Sequence, residues 1–491
     1  MAEAAWMGVD VGTSSTKGVV VDAEGRVLRA AQREHDVDRP RPGHVEMDPD
    51  VWWSEFQAIA AELTAPRDVS IEAVGVSGMG PCVLLADEDD VPVRPAVLYG
   101  VDTRATDQIA RLEEALGGDQ VHERCGSQLS SQAAGPKILW VREAEPESYR
   151  RARRLFMPAS WLVRRLTGAY VLDRHSASQC TPMYDAAAGE WYRPWAERVA
   201  PGLELPPLAW AGEVAGTTHE AVAGIHAGTP VVTGTIDAWA EAISVDAHNP
   251  GDLMLMYGTT MFLVHTVLEP LRSPSLWTTA GALPGTQSLA GGMATSGAIA
   301  AWLRHLTGGA DHGTLVAEAA QSGLGARGLL MLPYFAGERT PVMDPHARGL
   351  LAGLTLDHTR GDLYRAALEA TAFGVRHNVE TIRAAGGQVE RVVAVGGGTR
   401  GGLWTQIVSD VTGLPQVVPR TTTGAAYGMA HLAARSQGVG DIAAWNPPAE
   451  VRAPDLSAAA RYDELYQMYR DLYPATRDIS HRLARLQLTA P

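Results

Sequence analysis

Two segments of this 491-residue chain share one uncommon grammar. Residues 6–22 run from the apolar stretch Trp6 to Val9 through Asp10, turn at Gly12-Thr13-Ser14, and return through Lys17 into Val19 to Val21. Residues 252–265 repeat the plan, with Leu253 to Tyr257, a turn at Gly258-Thr259-Thr260, and Met261 to His265. Each reads as strand, tight turn, strand. A hairpin that recurs near mid-chain predicts one architectural unit used twice, once at the head of each half.

The surrounding pattern fits that duplication. A third strand is expected at Arg26 to Gln32, a helix over Val51 to Leu63 and a strand at Ala73 to Ser77, the alternation of α/β layers. A chain this long exceeds one hydrophobic core. Asn249-Pro250-Gly251 is a turn signal just before the second hairpin, so the division is expected there, into domains 1–248 and 249–491. Leu363, Ala367, Ala370 and Gly374 fall on one face of a helix. Tyr462, Leu465, Tyr466, Tyr469 and Tyr473 form a stripe at helical spacing, which predicts a core-facing terminal helix.

Charge and cysteine usage exclude several function classes. The net charge is −15 with Lys and Arg dispersed, which is no footprint for nucleic acid. Cys82, Cys125 and Cys180 lie far apart with no Cys-x-x-Cys pair, against a zinc site or a disulfide framework and in favour of a reducing cytoplasm. The run from Trp6 to Val11 lacks a basic leader and is too short for a signal peptide. No segment reaches membrane-spanning apolar length.

Glycine and hydroxyl turns present successive backbone N–H groups, the makings of an anion nest. Gly12, Thr13 and Ser14 in the first turn and Gly258, Thr259 and Thr260 in the second are therefore candidates for the phosphates of one nucleotide. Such turns also simply close hairpins. Asp10 at the strand end is placed to hold Mg²⁺ through water, and Lys17 to offset phosphate charge. A P-loop is excluded, because Thr16 rather than glycine precedes Lys17. Gly396 to Gly401 satisfies Gly-x-Gly-x-x-Gly between a strand and a helix near Leu403, but no acidic ribose ligand follows Pro415 to Val418. It reads instead as close backbone approach to an adenosine moiety.

Phosphoryl transfer to an alcohol needs a carboxylate to accept the hydroxyl proton. Pro230 to Ile236 is a strand broken at Gly234 that delivers Asp237 to the start of a helix. That position suits a general base; it equally suits a helix N-cap.

These residues resemble the FGGY family of carbohydrate kinases. The longest match runs from Leu332 through Gly337-Glu338-Arg339-Thr340-Pro341 to Asp344-Pro345 and Arg348-Gly349. Pro42-Gly43, Trp52-Trp53, Asp102-Thr103-Arg104, Tyr257-Gly258-Thr259 and Gly396 to Gly398 agree in order. The resemblance implies two ribonuclease H-like domains of the actin and sugar-kinase superfamily flanking an ATP and substrate cleft, the first mainly sugar-binding and the second mainly nucleotide-binding. It makes Asp237 the general base and places Gly297, Gly397 and Gly398 beside the nucleoside. It sets Met79, Gly80, Asp102 and Arg104 on the substrate side. Glu338 and Arg339 are expected to brace the site.

Within the family the chain is most similar to xylulokinases. Those carry Met-His-Gly where this strand ends Met79-Gly80-Pro81, and the Arg-Glu pair of glycerol kinases is absent too. D-xylulose leads the expected substrates, ahead of other ketopentoses, pentitols, gluconate and autoinducer-like polyols. A homodimer is a family-level expectation. A non-catalytic ATP-switched protein of the same superfamily and a NAD-dependent oxidoreductase are the competing readings.

Overall fold

The computed structural model describes residues 2–66 and 68–489. The chain forms two compact units. One comprises residues 1–248, 266–288 and 423–447; the other comprises residues 249–265, 289–422 and 448–491.

In the first unit β1 (Glu3–Val11), β2 (Ser15–Val21) and β3 (Val27–Glu34) form an antiparallel meander. β4 (Val69–Gly78) then joins β1 in parallel. β5 (Val214–Thr217), β6 (Pro230–Val232) and β7 (Thr235–Ile236) complete the sheet, with β6 and β7 both parallel to β4. The strands that abut helices are apolar on both faces, as sandwiched strands must be. Val9, Val11, Val20, Val74 and Val76 are all fully covered. The helix Pro49–Thr64 packs one side with Trp52, Phe56 and Ile59, each buried completely and worth roughly 1.5–3 kcal/mol by area. Asp48 caps it by accepting from the Asp50 amide.

The opposite face is covered by a segment from near the other end of the sequence, the helix Ala425–Ser436. It lies at backbone contact, which only glycine permits. A Cβ on Gly8 would sit 1.9 Å from the Ala426 carbonyl oxygen, one on Gly75 2.3 Å from that of Met429, and one on Gly428 2.1 Å from that of Ala240. Tyr427 donates to the Gly25 carbonyl at 2.7 Å, and Trp445 Nε1 to that of Ala23 at 3.0 Å.

The second unit restates the plan. β8 (Asp252–Tyr257) and β9 (Met261–Val267) form the antiparallel hairpin, with β10 (Gln287–Met293) beside β9. β11 (Arg391–Val395) runs parallel to β8, β12 (Gln416–Pro419) parallel to β11, and β13 (Pro448–Arg452) antiparallel to β12. The helix Arg360–Ala384 is buried along most of its length, including Ala367, Ala370 and Gly374. The terminal helix Ala459–Thr489 turns Tyr462, Leu465, Tyr466 and Tyr469 into the unit, as their spacing predicts. Among the described residues no helix is long and apolar enough to cross a membrane.

Candidate active site

The parallel register of β1, β4 and β7 aligns three polar residues in one row: Asp10 pairs with Ser77, and Ser77 with Thr235. One step on, Val11, Gly78 and Ile236 form the last row, so Asp10 and Asp237 emerge together at the carboxyl ends of the strands. That edge is where open α/β sheets bind ligands. Ser77 donates its hydroxyl to Asp10 Oδ1 at 2.8 Å.

Asp237 is the first residue of the helix Asp237–Ser244, and Oδ1 accepts from the Ala238 amide at 2.7 Å. The N-cap position belongs to Ile236, so the capping alternative does not describe this aspartate. Four residues on, one turn along the same face, stands Glu241.

The three acids interact. Burial pushes the Asp10 carboxyl above the ordinary range, opposed by the Ser77 hydrogen bond and by Lys17. Burial pushes Asp237 up too, reinforced by repulsion from Asp10 and, more weakly, from Glu241. Glu241 rises to about 7 for the same two reasons, burial and Asp10, with Lys17 opposing. Lys17, paired with Asp10 across the hairpin, keeps an exposed side chain.

The first turn is braced from behind. His35 Nε2 lies 3.1 Å from the Gly12 carbonyl oxygen, and its Nδ1 lies 2.9 Å from Glu55. The Gly12 amide is consumed within the turn by the Ser15 carbonyl at 3.0 Å. Among the described residues the Thr13 and Ser14 amides have no protein acceptor, so any nest here is theirs; Gly12 shapes the turn rather than donating. The Thr13 hydroxyl lies 2.9 Å from the Tyr99 hydroxyl. Lys137 in turn donates to the carbonyls of Tyr99 and Ser131 at 2.7 and 2.6 Å. Burial lowers that ammonium to about 8.

The second turn follows the same rule. The Gly258 amide is spent on the Thr260 carbonyl at 3.1 Å and that of Gly297 on the Gly258 carbonyl at 3.0 Å, while the Thr259 and Thr260 amides have no acceptor among the described residues. A Cβ on Gly297 would press to 2.6 Å from the Gly258 carbonyl oxygen, so this glycine lets the following helix abut the turn. In the glycine run after β11, Gly396 has φ +93° and packs on Tyr257, and Gly398 packs on the Trp404 ring. Gly397 differs, because a Cβ there would meet nothing within 4 Å. It is the member of the run that the fold itself does not require to be glycine.

On the substrate side Met79 is buried and Gly80 abuts Ile236. Asp102 and Arg104 turn inward. Arg104 Nε and Nη2 donate to Asp102 at 2.7–3.0 Å, Nη1 donates to Glu46 at 2.6 Å, and the guanidinium lies over Trp140. Asp102 also accepts from the Val45 and Arg104 amides. The pair spends these hydrogen bonds on each other, on Glu46 and on the Val45 amide, because a buried charge is tolerable only when paired and saturated.

Glu338 accepts from the Ala294 and Arg339 amides at 2.8 and 2.7 Å, and Arg339 Nη2 donates to the Met293 carbonyl at 3.0 Å. Burial pushes Glu338 up to about 8.

Sequence reasoning missed Ser77, Glu241 and Lys137. Glu241 had a usable signal, the i+4 spacing from Asp237; the others are joined through pairings that sequence does not display.

Comparison with known proteins supplies the lineage. Residues 5–244 match the N-terminal domain, and residues 253–437 the C-terminal domain, of the FGGY family of carbohydrate kinases. The chain is 29% identical over 488 residues to the xylulose kinase of Escherichia coli K12, covering 95% of this chain and 98% of that one. It is 32% identical to the glycerol kinase of Nocardia farcinica, with 91% of each chain covered. The crystal structure of xylulose kinase from Rhodospirillum rubrum superposes with a TM-score of 0.91 at 31% identity, over 97% of this chain and all of that one.

Proposed function

Since the chain belongs to the FGGY family of carbohydrate kinases, we propose that it transfers the γ-phosphoryl group of ATP to a hydroxyl of D-xylulose, giving xylulose 5-phosphate and ADP. The observation that carries the reading is the convergence of Asp10 and Asp237 on one strand edge, two acids whose mutual repulsion the fold sustains. Asp237 accepts the proton of the acceptor hydroxyl as its oxygen attacks the γ-phosphorus in line, and the bond to the bridging oxygen of ADP breaks.

The donor set suits Mg²⁺. Asp10 has one oxygen held by Ser77, and among the described residues its other oxygen accepts no hydrogen bond. Among the described residues no three acids or histidines converge tightly enough to ligate a metal by themselves. Mg²⁺ asks for no such cage, since it keeps waters and takes phosphate oxygens with one or two carboxylates. Asp10 would hold it; bound there, it would neutralise phosphate charge.

The remaining roles follow from the two turns. The Thr13 and Ser14 amides, with Lys17, serve the transferred phosphate, and those of Thr259 and Thr260 the nucleotide. Gly397 leaves its surface open to the nucleoside. Met79 and Gly80 border the sugar, and Asp102 with Arg104 fixes the loop beside it. The relatives named xylulose kinase support the choice of sugar.

The test is ADP release with Mg·ATP and D-xylulose, D-ribulose, xylitol, gluconate or glycerol, run beside Asp237→Asn. Stimulation by xylulose that the variant abolishes is the expected result. Stimulation by another compound keeps the kinase and replaces the sugar. Undiminished turnover by the variant removes Asp237 from its role.

A further inference from the structure

The two turns hold their glycine carbonyls by different means. In the second turn the Gly258 carbonyl accepts from a backbone amide, that of Gly297, at 3.0 Å. In the first turn the corresponding Gly12 carbonyl accepts from a side chain, His35 Nε2, at 3.1 Å. His35 follows β3 directly, and its own amide donates to the Ser14 carbonyl at 3.1 Å, so one residue clips the turn at two points. A trans peptide sets its C=O and N–H on opposite sides. With the Gly12 carbonyl drawn towards His35, the N–H of the same peptide plane, that of Thr13, is aimed away from it and out of the turn.

The imidazole is itself held. A carbonyl only accepts, so Nε2 carries a proton. Nδ1 lies 2.9 Å from Glu55 Oε2, which also accepts the Thr16 hydroxyl at 2.5 Å. A carboxylate oxygen and a bare ring nitrogen are both acceptors, so this contact contains a proton too, and the ring is fixed at both nitrogens. Glu55 comes from the helix Pro49–Thr64 and Thr16 from β2. The His35 and Glu55 side chains are only 6% and 13% exposed, which shields the brace from competing water.

We propose that His35 is a positioning residue for phosphoryl transfer: by holding the Gly12 carbonyl it aims the Thr13 amide at the transferred phosphate. This rests on the reading of the first turn as the site of that phosphate. A backbone donor stabilises developing charge only while it already points at the oxygen concerned, and it then costs no reorganisation when the bond breaks. The second turn obtains the same fixation from backbone alone, whereas the first depends on a side chain that substitution can remove without touching the turn itself.

Calorimetric titration of the full chain with Mg·ADP and with Mg·AMP-PNP, whose γ-phosphate is not transferred, reads the aim of the amide without turnover. His35→Leu should weaken AMP-PNP binding about tenfold or more and leave ADP within about twofold, because only the γ-phosphate loses its donor. His35→Gln, which restores an N–H donor, should keep both affinities near wild type. In turnover with D-xylulose, His35→Leu should lower kcat about ten- to a hundredfold with KM for the sugar unchanged. If His35→Leu melts early, His35→Leu/Glu55→Gln takes its place, since it removes the carboxylate left unpaired. Equal losses for the two nucleotides, no loss for either, or a His35→Gln chain as impaired as His35→Leu overturns the inference. A chain that shows the expected nucleotide pattern but phosphorylates no sugar keeps the brace and loses the kinase reading, and one that binds neither nucleotide loses both.

Discussion

The two hairpins are the same piece of backbone put to different chemical use. In β1–β2 the strand carries a carboxylate, Asp10, one residue before its end, with Ser77 beside it, and its charge raises the protonation ranges of Asp237 and Glu241. In β8–β9 the corresponding end is Met256 and Tyr257. The Tyr257 hydroxyl is occupied by Gln416 at 2.6 Å, and the one acid of the strand, Asp252 at its far end, is tied to Arg391. Duplication thus preserved the turn amides and confined ionisable chemistry to one copy. A backbone nest needs only a turn, while a general base needs burial and repulsion assembled from several strands.

Substitutions can break that contrast or sharpen it. The largest effect is expected at Asp237→Asn, which should lower kcat by about 10²–10⁴-fold and leave KM for ATP near its wild-type value. A loss confined to KM would place the carboxylate chemistry elsewhere. Next comes Gly297→Ala, whose methyl would push on the Gly258 carbonyl and shift the second turn. KM for ATP should rise about ten- to a hundredfold with KM for the sugar little changed, since displacements under 1 Å carry costs of that order. If both constants rise together, the turns are not separable in function.

The acid cluster also predicts a pH dependence that the second hairpin should lack. A carboxyl raised on folding makes the folded state hold more protons than the unfolded one, so stability is present at low pH and falls as pH rises. For Glu241 the window opens near the ordinary glutamate value and closes at about 7. The melting temperature of the nucleotide-free chain should therefore decline across that range, and Glu241→Gln should flatten the decline and raise Tm at pH 8 by roughly 2–4 °C. Thermal melts at fixed ionic strength read both. The smallest effect is expected at Gly397→Ala: Tm within about 1 °C of wild type, because a Cβ there meets nothing, and a KM for ATP raised about two- to fivefold.

Much of this architecture is legible in the residues. Periodicity and turn chemistry reveal both hairpins, and the break at Gly234 locates Asp237. What escapes is anything that depends on register. Ser77 reaches Asp10 because β1 and β4 pair in parallel with one particular alignment, and a slip of one residue would turn it to the other face. Asp102 and Arg104 illustrate the converse. The family resemblance sets them on the substrate side, but only coordinates show that Arg104 also engages Glu46 and that Asp102 accepts from the Val45 amide. The glycines divide likewise: sequence shows where they cluster, not which of them a neighbour's backbone demands.

The helix Ala425–Ser436 carries a consequence for how the protein comes to exist. It closes over Gly8 and Gly75, yet it leaves the ribosome about 190 residues after β7 has completed the sheet it covers. At the usual 5–20 residues per second, that is roughly 10–40 s during which a finished sheet waits with one face bare. The first unit is begun first and finished nearly last. A nascent chain stalled before residue 425 would therefore present an open apolar sheet to its surroundings, and a deletion near the C-terminus would strike hardest at the N-terminal half.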